Sequence, residues 1–403
     1  MSRYGKSPLN NPKLGGISVA ILYLTSPGAL ADAGLSANPY FQIHGFLTQA
    51  YVKTTENRFF GDSEDGSFEF RELGINTSYR FNPTLMASMQ LLSRTAGDMY
   101  DGSPTLDYAQ LDFTLDMSGS DRYGLILGRT KNPLGLYNDT RDVAATRPGI
   151  FMPQAIYWDR VRNMVLSNDG AQLYAEKSHA RHRFDLRFFS GKIPVDENVE
   201  KTYIPMQLDA SIDQKDFTLG GRMLYEWDGG RVRLALSGAF LKMDSHTDLL
   251  PDGSVDLDYW VISGQLNQGP WRLTLEYMEE PLDYQGFGKQ LDRLDTVVNG
   301  YYLQGDYRLH EDWELMFRYE ESHYDKHDTD GVKNSAVAGV KPYNLYSKVW
   351  TTGLLWEPTE NLMLRAEFSR VEGTIFLPFI ENPDLLRTAR DWNLLSLLIS
   401  YSF

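Results

Sequence analysis

The chain has 403 residues, a formal net charge of −15 and no cysteine. The missing cysteine excludes disulfide scaffolds, thiolate catalysis and cysteine metal sites. The acidic balance excludes a general nucleic-acid binder, which needs a basic face to neutralise phosphates.

The first 33 residues differ from the rest. Arg3, Lys6 and Lys13 precede a largely apolar run from Leu14 to Leu24, and Ala29-Leu30-Ala31 and Ala31-Asp32-Ala33 offer small-x-small cleavage sites. This is the layout of a secretory signal peptide, set apart as residues 1–33 from a domain at 34–403. The run is too short to cross a bilayer as a helix, which takes about 20 residues, and no other apolar run is long enough.

From Phe41 onward the pattern has period two. Phe41, Ile43, Leu47 and Tyr51 alternate with Gln42, His44 and Thr48; Leu73, Ile75, Tyr79 and Phe81 with Glu72, Asn76 and Arg80; Leu85, Met89 and Leu91 with Gln90 and Arg94. Leu111, Phe113 and Leu115 flank Asp112, Tyr123, Leu125 and Leu127 mark a fifth strand, and Leu173 centres a weaker sixth. Further alternating runs follow at Phe184–Phe188, Phe217–Trp227, Val232–Phe240, Trp271–Tyr277, Val297–Tyr307, Trp313–Tyr319, Tyr346–Trp356, Leu362–Phe368 and Leu395–Phe403. Val255–Leu266 is strand-like but ambiguous in face. Such alternation marks strands with one apolar and one polar face.

These sixteen candidate strands are joined by two kinds of connection. Seven are tight, among them Asn82-Pro83, Asp228-Gly229-Gly230 and Pro358 to Asn361. They alternate with eight long, polar ones: Thr54 to Gly66, Thr95 to Pro104, Lys131 to about Leu166, Ser190 to Lys215, Met243 to Ser254, Glu280 to Asp295, Glu321 to Tyr343 and Val371 to Arg390. A soluble all-β protein would turn the apolar faces into a shared core; a transmembrane barrel would turn them to lipid. The short-long asymmetry favours the barrel. So do Trp227, Trp271, Trp313, Trp356 and Phe81, all beside tight turns, as in an interfacial girdle. The polar faces carry Arg80, Arg94, Arg222, Arg318 and Arg365, a candidate lumen wall, matched by carboxylates such as Asp112, Glu226, Glu276 and Glu367.

The third long connection runs against its surroundings. Arg129, Lys131, Arg141, Arg147, Arg160 and Arg162 outnumber Asp139, Asp142 and Asp159, and an apolar knot, Ile150-Phe151-Met152-Pro153, sits among them. A long loop with its own anchor is a candidate functional loop. Arg129, Lys131, Asp139, Arg141, Asp142 and Arg147 are the candidate constriction residues, and Ile150, Phe151 and Met152 are expected to fasten the loop to the wall. The alternative is that the arginines pair with the aspartates and only brace the loop.

Two stretches carry a family likeness. Leu394 to Phe403 resembles the C-terminal strand of Gram-negative outer-membrane proteins, with alternate apolar residues and a terminal Phe. Gly128, Arg129, Lys131, Pro133 and Gly135 are similar to the end of the fifth strand in porin-like channels, including the phosphate-selective porins, although no lysine ladder accompanies them. The whole mature chain resembles a sixteen-stranded porin. The resemblance implies an all-β, up-and-down transmembrane barrel in the outer membrane, with the third long loop folded into its lumen. It implies passive diffusion of small hydrophilic solutes, without cofactor. Outer-membrane lipid and the barrel-assembly machinery would be its partners, and a homotrimer is allowed. The local basic excess suggests an anion preference.

Two other functions stay open. A binding or adhesion barrel would have a plugged lumen. A barrel enzyme would need a nucleophile and base at one strand end, which seven scattered histidines do not suggest, so no enzyme is expected. His323 and His327 with Asp325 and Asp328 lack helical spacing, and the acidic runs near Asp62 and Asp328 match the calcium-loop pattern only in part, so no metal is expected.

Overall fold

The computed structural model describes residues 40–204, 210–214, 216–247, 251–287 and 295–403. The signal peptide expected at 1–33 lies outside them. The strands are β1 (Phe41–Thr54), β2 (Ser67–Asn82), β3 (Leu85–Ala96), β4 (Tyr100–Ser118), β5 (Asp121–Lys131), β6 (Ser167–His179) and β7 (His182–Lys192). β8 comes in two pieces, Ala210–Asp213 and Thr218–Trp227, which both pair with the next strand and share one place in the sheet. Then come β9 (Val232–Thr247), β10 (Gly253–Gln268), β11 (Trp271–Gln285), β12 (Asp295–His310), β13 (Trp313–His323), β14 (Tyr346–Thr359), β15 (Leu362–Gly373) and β16 (Asp391–Ser402).

Each strand pairs antiparallel with its neighbours in sequence. β1 also pairs with β16, from Phe46↔Ser402 to Thr54↔Leu394, which closes a sixteen-strand barrel. Thr48 and Ser400 meet across this seam at 2.8 Å. Closure leaves no sheet edge, the condition for a β-sheet to stand in lipid, where unpaired backbone groups have no water to turn to.

Along the half of the barrel nearer the tight turns, the apolar face points out. Leu47, Ile75, Leu111, Leu173, Leu236, Leu275, Leu303 and Leu397 are exposed, whereas the alternating Thr48, Glu72, Gln90, Thr274, Glu276, Gln304 and Glu367 are buried inside. The tight-turn rim carries the aromatic girdle. Trp313 and Trp356 stack at 5.1 Å, Trp271 lies 4.5 Å from Tyr307, and Arg181 and Arg231 sit over Trp227.

Toward the long-loop rim the phase inverts on β9 to β12. On β9, Phe240 points out, but Leu241 and Met243 are buried inside while Lys242 pairs with Asp256 on the outer face at 3.4 Å. On β10, Val255, Leu257, Tyr259 and Val261 are buried and Ile262 is exposed. On β11, Leu273 and Leu275 face out but Met278, Leu282 and Tyr284 face in. The strands therefore run past the apolar belt and there enclose a hydrophobic core of their own, as a water-exposed sheet does.

The second long connection, expected from Thr95 to Pro104, is shorter. β3 runs to Ala96 and β4 restarts at Tyr100, leaving only residues 97–99. Register shifts at Gln90/Leu91 and Ser93/Thr95 break the alternation there, which hides strand from a period-two reading.

The outward face of β16 generates a direct test. Leu397→Arg should cost about 2–4 kcal/mol in bilayer-reconstituted unfolding, as a cation on the lipid face of a barrel does. Ser396→Ala, on the inner face beside it, should cost under about 1 kcal/mol. Equal effects would contradict the assigned faces.

Candidate functional site

Residues 132–166, loop 3, leave β5 and turn into the barrel. Gly135, at φ +59, lets the chain pass close to Glu276 on the wall, and a Cβ there would collide with the Tyr157 hydroxyl of the same loop. Three short 3-10 turns follow, at Asn138–Thr140, Ala144–Thr146 and Asp159–Val161, and a single helical turn at Arg162–Leu166 leads back to β6. Asn138 ties the two ends together by donating to the carbonyls of Asn132 and Val165, at 2.9 and 2.7 Å. Every residue from Arg147 to Arg162 is buried. Loop 3 thus lies against the inner wall, and Val199, Tyr203 and Ile204 of the next long connection pack beside it.

Four polar anchors hold it. The first is Glu276 on β11, fully buried, which accepts from the Leu136 N–H (2.9 Å) and from the hydroxyls of Tyr157 (2.8 Å), Tyr302 (2.8 Å) and Ser263 (2.6 Å). The second centres on Glu72 of β2. Arg94 of β3 donates to Glu72 at 3.1 Å and to Asp159 at 3.0 Å, Arg147 donates to Glu72 at 2.5 Å, and Arg141 reaches Asp159 at 3.4 Å. The Arg94 guanidinium also lies over Tyr100 and Phe70, 4.7 and 5.4 Å from the ring centres. The third joins Lys131 and Arg162 to Asp142 and Asp107. The fourth is Arg222 of β8, which holds both oxygens of Asp139, at 3.2 and 3.1 Å.

Backbone contacts complete the ring. Ile150 N–H donates to Glu367 at 2.6 Å and Ala155 N–H to Glu320 at 3.1 Å. Gln304 donates to the Pro148 carbonyl at 2.7 Å, and the Tyr259 hydroxyl to the Ile156 carbonyl at 2.9 Å. At Gly300 of β12 the Ala155 carbonyl lies where a side chain would begin. The apolar knot packs as expected: the Phe151 ring is 5.4, 5.0 and 5.1 Å from Phe59, Phe60 and Phe70. Above it Glu381 draws three loops together by accepting from the N–H groups of Phe60, Gly61 and Asp98.

The predicted residues divide accordingly. Lys131, Asp139, Arg141, Asp142 and Arg147 gather inside the barrel, each with a partner of opposite charge. Arg129 does not join them. It faces outward beside Leu127, opposite Asp169, with which it pairs at 2.7 Å, because it keeps the outward phase of Tyr123, Leu125 and Leu127. Arg94, Arg222, Arg318 and Arg365 are buried on the inner wall, whereas Arg80 is exposed near the tight-turn rim. Glu72, Asp107, Glu320 and Tyr157 were not among the predicted site residues. Glu72 and Glu320 stand on polar strand faces, a usable signal, but Asp107 is the residue skipped at a register shift, which conceals its face. Asp325 and Asp328 cap their own loop, accepting from His327, Lys333 and Asn334. Among the described residues no cluster suits a metal ion.

No family model and no curated protein matches the chain. Solved structures do. The outer-membrane channel DcaP of Acinetobacter baumannii shares 12% identity at a TM-score of 0.59, over 90% of this chain and 97% of that one. The fold is that of the sixteen-stranded outer-membrane porins. The anion-selective porin from Comamonas acidovorans matches at 12% identity and a TM-score of 0.56, over 90% of this chain and 99% of that one. Salmonella typhi OmpF in complex with daunomycin matches at 12% and 0.56, over 90% and 97%. Within this porin fold, loop 3 makes contacts around most of the inner circumference.

Burial pushes the carboxyls of Asp142 and Asp159 up, but the adjoining cations outweigh it and hold both below the usual carboxylate range: Lys131 and Arg162 for the first, Arg94 and Arg141 for the second. A carboxylate with a depressed folded pKa contributes stability that is present above its unfolded pKa, about 3.9, and lost as pH falls through the folded value. Amide-exchange protection of residues 140–162, corrected for intrinsic rates, should therefore not fall between pH 7 and pH 5 and should fall only below about pH 4. Loss of protection already between pH 7 and 5 would contradict this pairing.

Proposed function

We propose that the chain is an outer-membrane channel of the porin type, passing small hydrophilic solutes by passive diffusion, with loop 3 closing the lumen at rest. One observation carries the reading: a closed sixteen-strand barrel with an apolar outer belt and a polar inner wall. A barrel of this size leaves an aqueous passage unless something fills it. Here loop 3 stands in that passage, packed against Val199, Tyr203 and Ile204 of the next long connection, so displacing loop 3 widens the way. The proposal includes an anion preference, supported by Arg365 on the inner wall, whose one hydrogen bond within the protein goes to a carbonyl. We infer that Arg141, Arg147, Asp139 and Asp142 brace loop 3 rather than select ions, because each is paired. Selectivity would then rest on the wall. Outer-membrane lipid, the assembly machinery and a homotrimer belong to the same reading, as does the absence of enzymatic chemistry.

A second reading has one observation in its favour. Loop 3 is buried from Arg147 to Arg162, which suits a plugged barrel that works through its outer loops. Planar-bilayer recording separates the two. The channel reading expects discrete ionic steps from the intact protein under applied voltage. It also expects larger, steadier steps when residues 141–162 are replaced by a short Gly/Ser linker, and a reversal potential that favours anions in a salt gradient. An intact protein that never conducts while the shortened one does would favour the plugged barrel. A clear cation preference would refute the anion proposal.

A further inference from the structure

Between loop 3 and the tight-turn rim lies a vestibule of about 500 Å³. Its roof is the lower face of loop 3, with Tyr137, Thr146, Arg147 and Pro148, and its sides are the inner walls of β8 to β15. Charge is unevenly placed along it. Glu311, Asp312 and Glu357 stand at the tight-turn mouth, whereas Arg147, Arg272 and Arg365 stand deeper.

Five arginines line the vestibule, and four have a carboxylate partner: Arg147 with Glu72, Arg233 with Glu226, Arg272 with Asp306 and Glu314, and Arg308 with Glu314. Arg365 differs. It is only 8% exposed, and its one hydrogen bond runs from Nη1 to the Arg147 carbonyl at 3.3 Å. Among the described residues no carboxylate is close enough to pair with it. Glu367, Glu314 and Asp306 act on it from a longer distance, but none occupies its N–H groups. A guanidinium offers five N–H donors in a planar fork, and this one donates a single hydrogen bond within the protein. The fork matches the two oxygens of a carboxylate or a phosphate.

We infer that the vestibule is a blind-ended pocket for a small oxyanion, carboxylate or phosphate, gripped by Arg365 beneath loop 3. The inference rests on the proposed function only for the side from which solute enters. The pocket closes at loop 3, so occupancy does not require passage. An anion seated there also competes with the Arg147 carbonyl for the same guanidinium, which links occupancy to the lower edge of the loop.

Titration of the full chain in detergent micelles tests this, read by calorimetry. Inorganic phosphate and succinate are the probes, and chloride is the spherical control. Saturable binding of at least one oxyanion is expected, with chloride weaker. Arg365→Gln should weaken it about tenfold or more, the loss of a charge-assisted contact. Arg365→Lys should fall between, keeping the charge without the fork. Arg387→Gln, on an exposed long loop and outside the vestibule, should leave binding unchanged and controls for the loss of a cation elsewhere. Phosphate binding without succinate binding, or the converse, supports the pocket and names the oxyanion. Equal affinity in wild type and Arg365→Gln overturns the proposal, as does the absence of saturable binding to every probe. Conductance of the same preparations keeps the two readings apart. A barrel that conducts without binding overturns the pocket alone, and one that binds without conducting overturns the channel alone.

Discussion

A peptide group facing hydrocarbon must find its hydrogen bond within the protein, because no water is there to supply one. In this chain that demand is met by the seam between β1 and β16, where Phe46 to Thr54 pair with Ser402 to Leu394. Closure then dictates the rest. A closed sheet has an outside and an inside, and every strand must sort its side chains between them. The outward phase carries Leu236, Leu275, Leu303 and Leu397, and the inward phase carries Glu72, Thr274, Glu276 and Gln304. Where β9 to β12 pass beyond the apolar belt, the sorting reverses, and Met243, Val255, Leu257 and Met278 fill the inside. Two solvents act on one strand, and the point of inversion marks the change between them.

The polar interior needs partners of its own. Buried charges are expensive to desolvate, and removing one member of a buried pair typically costs about 3–5 kcal/mol. Loop 3 supplies the missing members. Arg147 and Asp159 complete the pairs of Glu72 and Arg94, Asp139 completes that of Arg222, and loop backbone N–H groups reach Glu276, Glu320 and Glu367. Each contact is directional, so together they admit one placement of the loop. The Phe151 cluster adds burial that is not directional, and Gly300 leaves room for the loop backbone where any larger residue would push it away. A loop held this way is a stopper with a defined seat.

Much of this was legible in the sequence. The sixteen strands, the tight turns and the place of the charged loop follow from period-two alternation, because lipid enforces that alternation strictly. The reading faded where lipid is absent. Val255–Leu266 looked ambiguous because its phase inverts within the strand, from inward Val261 to outward Ile262. Thr95–Pro104 looked like loop because register shifts interrupt β3 and β4. Arg129 was grouped with the loop by charge, although the parity of Leu125 and Leu127 already placed it outside. Which wall carboxylate meets which loop arginine was not legible at all. Glu72 and Arg147 are 75 residues apart, and only the closed barrel brings them together.

The central claim is that loop 3 is seated and excludes water, and it can be tested in the intact membrane. The chain has no cysteine, so one introduced thiol reports without background. Ala155 is 1% exposed beneath the wall of β12, whereas Thr146 faces the vestibule and is exposed. With a small water-soluble thiol reagent, Thr146→Cys should label readily and Ala155→Cys should stay unreactive until the protein is unfolded. Labelling of both at similar rates in the folded barrel would contradict the account.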